Sequence, residues 1–319
     1  MSQRILMLGG ICTDRTLVLD QIPQPGQDVL VRDMREQPGG CALNAAWMMK
    51  KLGLDPWVYS FVGKETLPEM LSFFRSAGLT SDCLFCSEQQ RSGVCQILVD
   101  SHKERTFLTW RGCEGRFDAR RIPDNAGFCA AYLTGLFLLY GTESRVVADY
   151  LCLQNPRLPL FFDPGPLCGQ IPRDLLEKLL RRCSGLKVNR SEAEILQQSL
   201  QRPLQDYFRD RLEFILLTDG AAGLSLIRQE SSVVQPAIQG TVIDTSGAGD
   251  ACFAGLIASD LCGVPEPLAL SLAAACGTAT VAESGPRSSL AVRQLFQLAH
   301  PADPQVYFSF FPDSDTISI

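Results

Sequence analysis

The chain has 319 residues, 46% hydrophobic and 20% charged, enough apolar material for a sizeable core and too little charge for a disordered polymer. At about 150 residues per domain, that length allows two domains or one large α/β unit with a small appendage. Twenty-nine Lys and Arg against 35 Asp and Glu give a net charge of -6, which argues against a general nucleic-acid binder.

From the N-terminus, MSQRILMLGGICTD carries one basic residue and a short apolar run, too little for a signal-peptide core, so a cytoplasmic protein is expected. Arg4 to Leu8 reads as a buried first strand closed by Gly9-Gly10, with Asp14 just beyond it. Residues 15 to 36, with Pro23, Pro25 and Gly26 among alternating segments, read as strands and turns rather than a crossover helix. Asn44 to Leu52 is helical in pattern, Trp57 to Val62 is a strand, and Leu67 to Ala77 is a second helix. Val94 to Asp100 and Arg105 to Trp110 form a hairpin about Ser101-His102-Lys103.

The apolar run from Ala126 to Tyr140 is interrupted by Thr134 and Gly135 and is too short to span a bilayer; it reads as a buried strand entering another buried element. No membrane association is expected. Strands at 131–134, 160–163, 186–189 and 214–218 then alternate with helices at 143–154, 175–182 and 192–200. Repeated βα units predict an α/β fold with a mainly parallel sheet and helices on both faces. Glu230 to Val242 is strand-like, Ala248 to Leu261 and Pro267 to Val281 are helices rich in small residues, and the tail 301–319 is aromatic and irregular.

Thirteen cysteines without regular spacing read as reduced core thiols. Cys83 and Cys86 make one CxxC with no second pair, and His102 and His300 are the two histidines, so neither a zinc site nor a histidine base is expected. Acid-base chemistry then falls to carboxylates. The strongest signal is Asp244-Thr245-Ser246-Gly247-Ala248-Gly249-Asp250, leading into a helix. Bare N–H groups of Gly247, Ala248 and Gly249 at a helix start can close on an anion, and the helix dipole adds to the attraction. Asp250 behind them would take the proton of an attacking hydroxyl while the N–H groups receive charge on a transferred phosphoryl group. The plainer reading is a first-turn acid on a glycine-rich helix start. Neither a Walker loop nor a G-x-G-x-x-G fingerprint is present.

Asp244 to Gly255 resembles the C-terminal signature of the ribokinase or PfkB family of carbohydrate kinases, and Pro38-Gly39-Gly40-Cys41-Ala42-Leu43-Asn44 resembles its N-terminal glycine signature. The resemblance implies one ribokinase-like kinase domain over residues 1–319, with a small β-sheet lid from segments near 12–36 and 91–112. It implies ATP and Mg2+ as cofactors, Asp250 as base with Gly247, Ala248 and Gly249 as anion hole, and Asp14, Gly39, Gly40 and Asn44 as contacts to substrate hydroxyls. Taken alone, Asp14 also reads as a turn residue and Asn44 as a helix cap.

Asn189 and Glu192 resemble the family's N-x-x-E motif, which acts through water on magnesium and phosphates; the same pair also reads as a capping box. Thr218, Gly220 and Gly223 match the loop that receives the nucleotide. A monovalent cation, K+, would lie near Asp244, Ser246, Thr280, Glu283, Gly285 and Ser289, where Glu283 departs from the small residue expected. Arg105 and Arg111 on the hairpin could reach a carboxylate or phosphate of the acceptor. The acceptor is read as a sugar or sugar-like molecule. The alternative is a nucleoside, with Phe107 and Trp110 as an apolar slot, and a non-catalytic sugar-binding protein is disfavoured by the intact Asp250. Open lid edges, and the resemblance, imply a homodimer through the lid.

Overall fold

The computed structural model describes residues 3–123, 126–139, 141–312 and 314. Tyr140, at the end of the expected apolar run, and residues 313 and 315–319 of the tail lie outside the described residues. In chain order the elements are β1 (Arg4–Leu8), β2 (Cys12–Leu19), β3 (Val31–Gly39), α1 (Cys41–Lys51), β4 (Asp55–Gly63), α2 (Leu67–Ser76) and β5 (Leu84–Ser87). There follow β6 (Gly93–Val99), β7 (Arg105–Trp110), β8 (Ala130–Thr134), α3 (Thr142–Asp149), β9 (Leu160–Asp163), α4 (Arg173–Leu180), β10 (Gly185–Asn189) and α5 (Arg190–Leu200). The last part contains β11 (Phe214–Thr218), β12 (Leu224–Ile227), β13 (Ser232–Gln235), α6 (Ala248–Leu261), α7 (Glu266–Val281) and α8 (Val292–Ala299).

Nine strands form one sheet in the order β13-β12-β11-β10-β9-β8-β1-β4-β5, parallel from β11 to β5 and antiparallel at β12 and β13. Side-chain alternation along β1 explains why it is apolar throughout. Ile5 and Met7 enter the core under α1, α2, α6, α7 and α8, whereas Leu6 and Leu8 enter the core under α3, α4 and α5. A strand buried on both faces has no polar side. The α/β expectation with helices on both faces is therefore what the chain adopts.

A second sheet of four strands runs β3-β2-β6-β7, with β2 parallel to β6 and the other pairs antiparallel. Its first strand follows β1 after Leu8 across Gly9-Gly10, so it grows from the carboxyl end of the parallel strands, the end where ligands bind in open α/β sheets. Alternation along β7 puts Arg105, Phe107 and Thr109 on one face and Leu108 and Trp110 on the other.

Three differences from the sequence reading have local causes. Strand character after Glu230 is confined to Ser232–Gln235, because Pro236 has no N–H for the ladder, and Val242 and Ile243 are left exposed. The expected helix 143–154 is α3 followed by one widened π-helical turn, Tyr150–Gln154. Two aromatics of the described tail are core: Tyr307 and Phe311 are buried and stack on Phe296 of α8 with centroids 5.0 and 5.8 Å apart.

Gly40 precedes α1 at φ 110°, and a β-carbon there would collide with the Gly10 carbonyl. Gly40→Ala is expected to cost about 1–3 kcal/mol of stability, read as a lower melting temperature; an unchanged melting curve would contradict this account of the turn.

Candidate active site

Asp250 is the third residue of α6, whose preceding Gly247 takes a left-handed φ of 71°. A β-carbon on Gly247 would collide with the Pro286 carbonyl, so the chain enters the helix there only as glycine. The first turn of a helix has no intrahelical acceptors for its N–H groups, which leaves those of Gly247 to Gly249 available. Asp250 is buried, and its Oδ2 accepts from Asn44 Nδ2 of α1 at 3.0 Å. Burial, and then Asp163 nearby, hold its carboxyl well above the usual carboxylate range against Lys187, Asn44 and Cys41. A carboxylate held in this way is a better proton acceptor than an exposed aspartate.

Lys187 is one of the residues that sequence reasoning missed. Leu186 and Val188 of β10 pack on the α4 and α5 side, so alternation turns Lys187 toward the start of α6. Its Nζ lies 3.2 Å from Asp163 and 4.0 Å from Glu192, and a β-carbon built on Gly249 would fall 3.0 Å from it. Burial alone would discharge the ammonium, but Asp163, Glu192 and Asp250 outweigh that and keep it charged. Asp163, also missed, ends β9 and accepts from Tyr132 Oη at 3.4 Å and from Gly165 N at 3.1 Å. A lysine inside an apolar strand, Leu186-Lys187-Val188, was the available signal.

Asn189 and Glu192 form the capping box of α5, each side chain accepting from the other's backbone N–H at 2.8 Å. Both sequence readings concern the same atoms, since Glu192 also reaches Lys187. Thr218 pairs in register with Asn189, and the turn through Gly220 to Gly223 follows it at the same end of the sheet.

Asp14 lies buried in β2 with its carboxylate packed against Gly39. Burial pushes its carboxyl up to about 6, opposed by a hydrogen bond from Cys12 at 3.5 Å and by Arg287, with Asp244 adding to the rise. Arg287 joins this group to Asp250, because its Nη1 donates to Asn44 Oδ1 at 3.0 Å. Asp14, Gly39, Gly40, Asn44 and Asp250 are thus brought to one place.

Arg105 reaches from the small sheet to Asp244 at 2.6 Å and Ser246 Oγ at 3.0 Å. Asp244 also accepts from Ser246 N at 2.7 Å and Gly285 N at 3.0 Å, so one carboxylate fixes both the loop before α6 and the small sheet above it. Arg111 is placed elsewhere, donating to the Leu139 carbonyl beside a cavity of about 400 Å³ lined by Thr109, Leu136, Leu167 and Gln170. That cavity includes none of Asp14, Asn44 or Asp250.

Three of the positions assigned to K+ have partners of their own. Asp244 carries the Arg105 guanidinium, Glu283 accepts from Ser288 Oγ and Ser289 N at 3.0 and 2.8 Å, and the Thr280 carbonyl receives the N–H groups that close α7. Among the described residues no group of three or more His, Cys, Asp or Glu is arranged to hold a metal ion, and none of the helices is long and apolar enough to cross a membrane. Magnesium commonly binds through one or two carboxylates and the phosphates it accompanies, which asks for no such cage.

The model of the pfkB family of carbohydrate kinases matches residues 2–293. This chain belongs to that family. A relative described as an uncharacterized sugar kinase, YegV of Escherichia coli K12, is 28% identical over 296 residues, 89% of this chain and 90% of its own. An ATP-dependent ribose-1-phosphate kinase of Halopiger xanaduensis is 27% identical over 90% of this chain and 94% of its own. The crystal structure of the Methanocaldococcus jannaschii nucleoside kinase superposes with a TM-score of 0.81 at 21% identity, over 94% of this chain and 98% of its own, a likeness of fold. As a pfkB kinase the chain is a phosphotransferase with a hydroxyl acceptor, in the sugar and nucleoside kinase group.

Lys187→Gln would leave Asp163, Glu192 and Asp250 without their cation. Breaking a buried pair from one side costs about 3–5 kcal/mol. The deficit should be larger at pH 8, where Asp250 is ionised, than at pH 5, where its raised carboxyl is protonated and the repulsion falls. Thermal melts at the two pH values test this; equal losses would remove Lys187 from the charge balance.

Proposed function

We propose that this protein moves the γ-phosphate of ATP, with magnesium, onto a hydroxyl of a sugar or sugar-like acceptor held between the small sheet and the carboxyl ends of the parallel strands. The single observation that carries this reading is the buried Asp250 carboxylate, fixed by Asn44 directly behind the open N–H groups at the start of α6. An acceptor resting on Asp14, Gly39, Gly40 and Asn44 would present its hydroxyl to Asp250, which takes the proton as oxygen attacks phosphorus in line. The N–H groups of Gly247, Ala248 and Gly249 then oppose the charge that develops on the transferred group. Lys187 offsets the negative charge of Asp163, Glu192 and Asp250 at the same point.

For the nucleotide, Thr218, Gly220 and Gly223 offer a close backbone approach, and exposed Val242 and Ile243 offer apolar surface to a flat base. Bound ATP supplies the phosphoryl group, and magnesium would be held at its phosphates with Asn189 and Glu192 acting through water. We take the whole chain, 1–319, as one kinase unit, with the segments near 12–36 and 91–112 as its lid. The Arg105–Asp244 pair supports this, because it ties the small sheet to the loop before α6 and would exclude water from the transfer.

A nucleoside acceptor is the second reading, favoured by the likeness to the Methanocaldococcus jannaschii nucleoside kinase. Phe107, on the same face of β7 as Arg105, is the aromatic available to a base; alternation turns Trp110 the other way. Trp110, Leu108 and Met34 are each more than half exposed, an apolar face suited to a second copy of the lid. Trp110→Lys should shift a dimer toward monomer in light scattering after size exclusion; an unchanged mass would remove this face from the interface.

Release of ADP across free sugars, sugar acids, phosphosugars and nucleosides tests the main reading. Asp250→Asn is expected to lower turnover by about 10²–10⁴-fold with acceptor binding retained, and near-normal turnover would refute the base. Because Asp250 must be ionised to accept a proton and its carboxyl titrates above the usual range, kcat/KM should fall on acidification at a higher pH than an ordinary carboxylate would give. A profile flat down to pH 5 would contradict it.

A further inference from the structure

Arg287 stands on the loop between α7 and α8, next to Pro286, whose carbonyl packs on Gly247, and two residues from Gly285, whose N–H holds Asp244. Its guanidinium reaches across to Asn44 Oδ1 at 3.0 Å, and the same amide donates to Asp250 Oδ2 at 3.0 Å. It lies 4.9 Å over the Phe73 ring, which stacks on Trp47 at 5.8 Å, and Trp47 Nε1 donates to the Ser288 carbonyl at 3.0 Å. One ring and one hydrogen bond therefore hold the guanidinium directly, and Trp47 backs them through Phe73 and the neighbouring Ser288 carbonyl.

What the pose lacks is an anion. Among the described residues Arg287 is in no ion pair, and its donors other than the one on Asn44 have no partner. Asp14 acts on it only at a distance, and burial pulls its ionisation down to about 10. The other cations near the site are committed: Arg105 to Asp244, and Lys187 to Asp163 and Glu192. A planar, pre-stacked guanidinium with spare N–H groups matches a carboxylate or phosphate. Neutral hydroxyls would leave its charge desolvated and uncompensated.

We infer that Arg287 is a specificity-determining residue that binds an anionic group, carboxylate or phosphate, on a polyhydroxylated acceptor, so that charged acceptors are chosen over their neutral counterparts. This rests on the kinase reading above and narrows its acceptor class. The anion would sit on the free edge of the Arg287 guanidinium, leaving hydroxyls of the acceptor for Asp14 and Asp250. Arg105 and Arg111, to which the sequence assigned this task, are turned to Asp244 and Leu139.

The test uses the full chain and matched probes: ribose against ribose 1-phosphate and ribose 5-phosphate, and glucose against gluconate and glucuronate. Each is assayed for ADP release with ATP and magnesium, and for binding by calorimetry without ATP. Wild type should favour a charged member over its neutral partner by about 10 to 100-fold, the range of a charge-assisted hydrogen bond. Arg287→Gln should erase most of that ratio, chiefly through KM and Kd, and Arg287→Lys should restore part of it. The pair that responds tells carboxylate from phosphate.

Equal use of charged and neutral probes by wild type would overturn the inference. So would an Arg287→Gln that lowers kcat on both alike with the ratio intact, which would make Arg287 a positioning residue for Asn44. If no probe releases ADP, the kinase reading fails by itself, and Arg287-dependent binding of the charged probes in calorimetry still decides this inference. Should Arg287→Gln fail to fold, the Arg287→Lys ratio decides, since lysine keeps the charge and loses the planar fork.

Discussion

One ammonium group holds the centre of this molecule together. Asp163, Glu192 and Asp250 come from three different elements, and each is buried where the parallel strands end. Three carboxylates in one dry region repel, and neither Asn44 nor the capping box of α5 supplies a positive charge. Lys187 supplies it, and can do so because β10 runs through the middle of the sheet with one residue facing α6. The position of the proposed base thus depends on the strand order as much as on the helix that carries it.

The second sheet depends on a similar economy. Asp244 accepts from two backbone N–H groups, one before α6 and one after α7, and pairs with Arg105 from β7. An acidic residue that could have been merely a turn former therefore connects three separate stretches of chain. A small sheet moving as the proposed lid would make or break a charge-assisted contact beside the proposed anion hole.

Much of this was legible in the sequence, and the parts that were not share a cause. Local signals were sound: apolar runs gave the parallel strands and small residues gave α6 and α7, and the stretches bearing the two glycine signatures meet through Asn44 and Asp250. Asp250, Asn44 and Asp14 carried readable motifs, and the structure gathers them around one bridging arginine. Lys187, Asp163 and Arg287 carried none, because their meaning is set by what faces them across the fold. A lysine within an apolar strand could have been flagged as a charge in need of partners, whereas nothing within the loop containing Arg287 announces that it crosses to α1. Arg105 was placed on the hairpin, but its pairing with Asp244 could not be read, since that carboxylate lies about 140 residues further on.

The aromatic tail has a consequence for handling the protein. The family model ends at residue 293, yet Phe296, Tyr307 and Phe311 beyond it are fully buried, and the Tyr307 hydroxyl donates to the Leu268 carbonyl of α7 at 2.9 Å. Helix α7 in turn backs α6, the element that bears Asp250. Trimming the gene at the family boundary would strip the outer wall from that helix pair and expose greasy surface next to it.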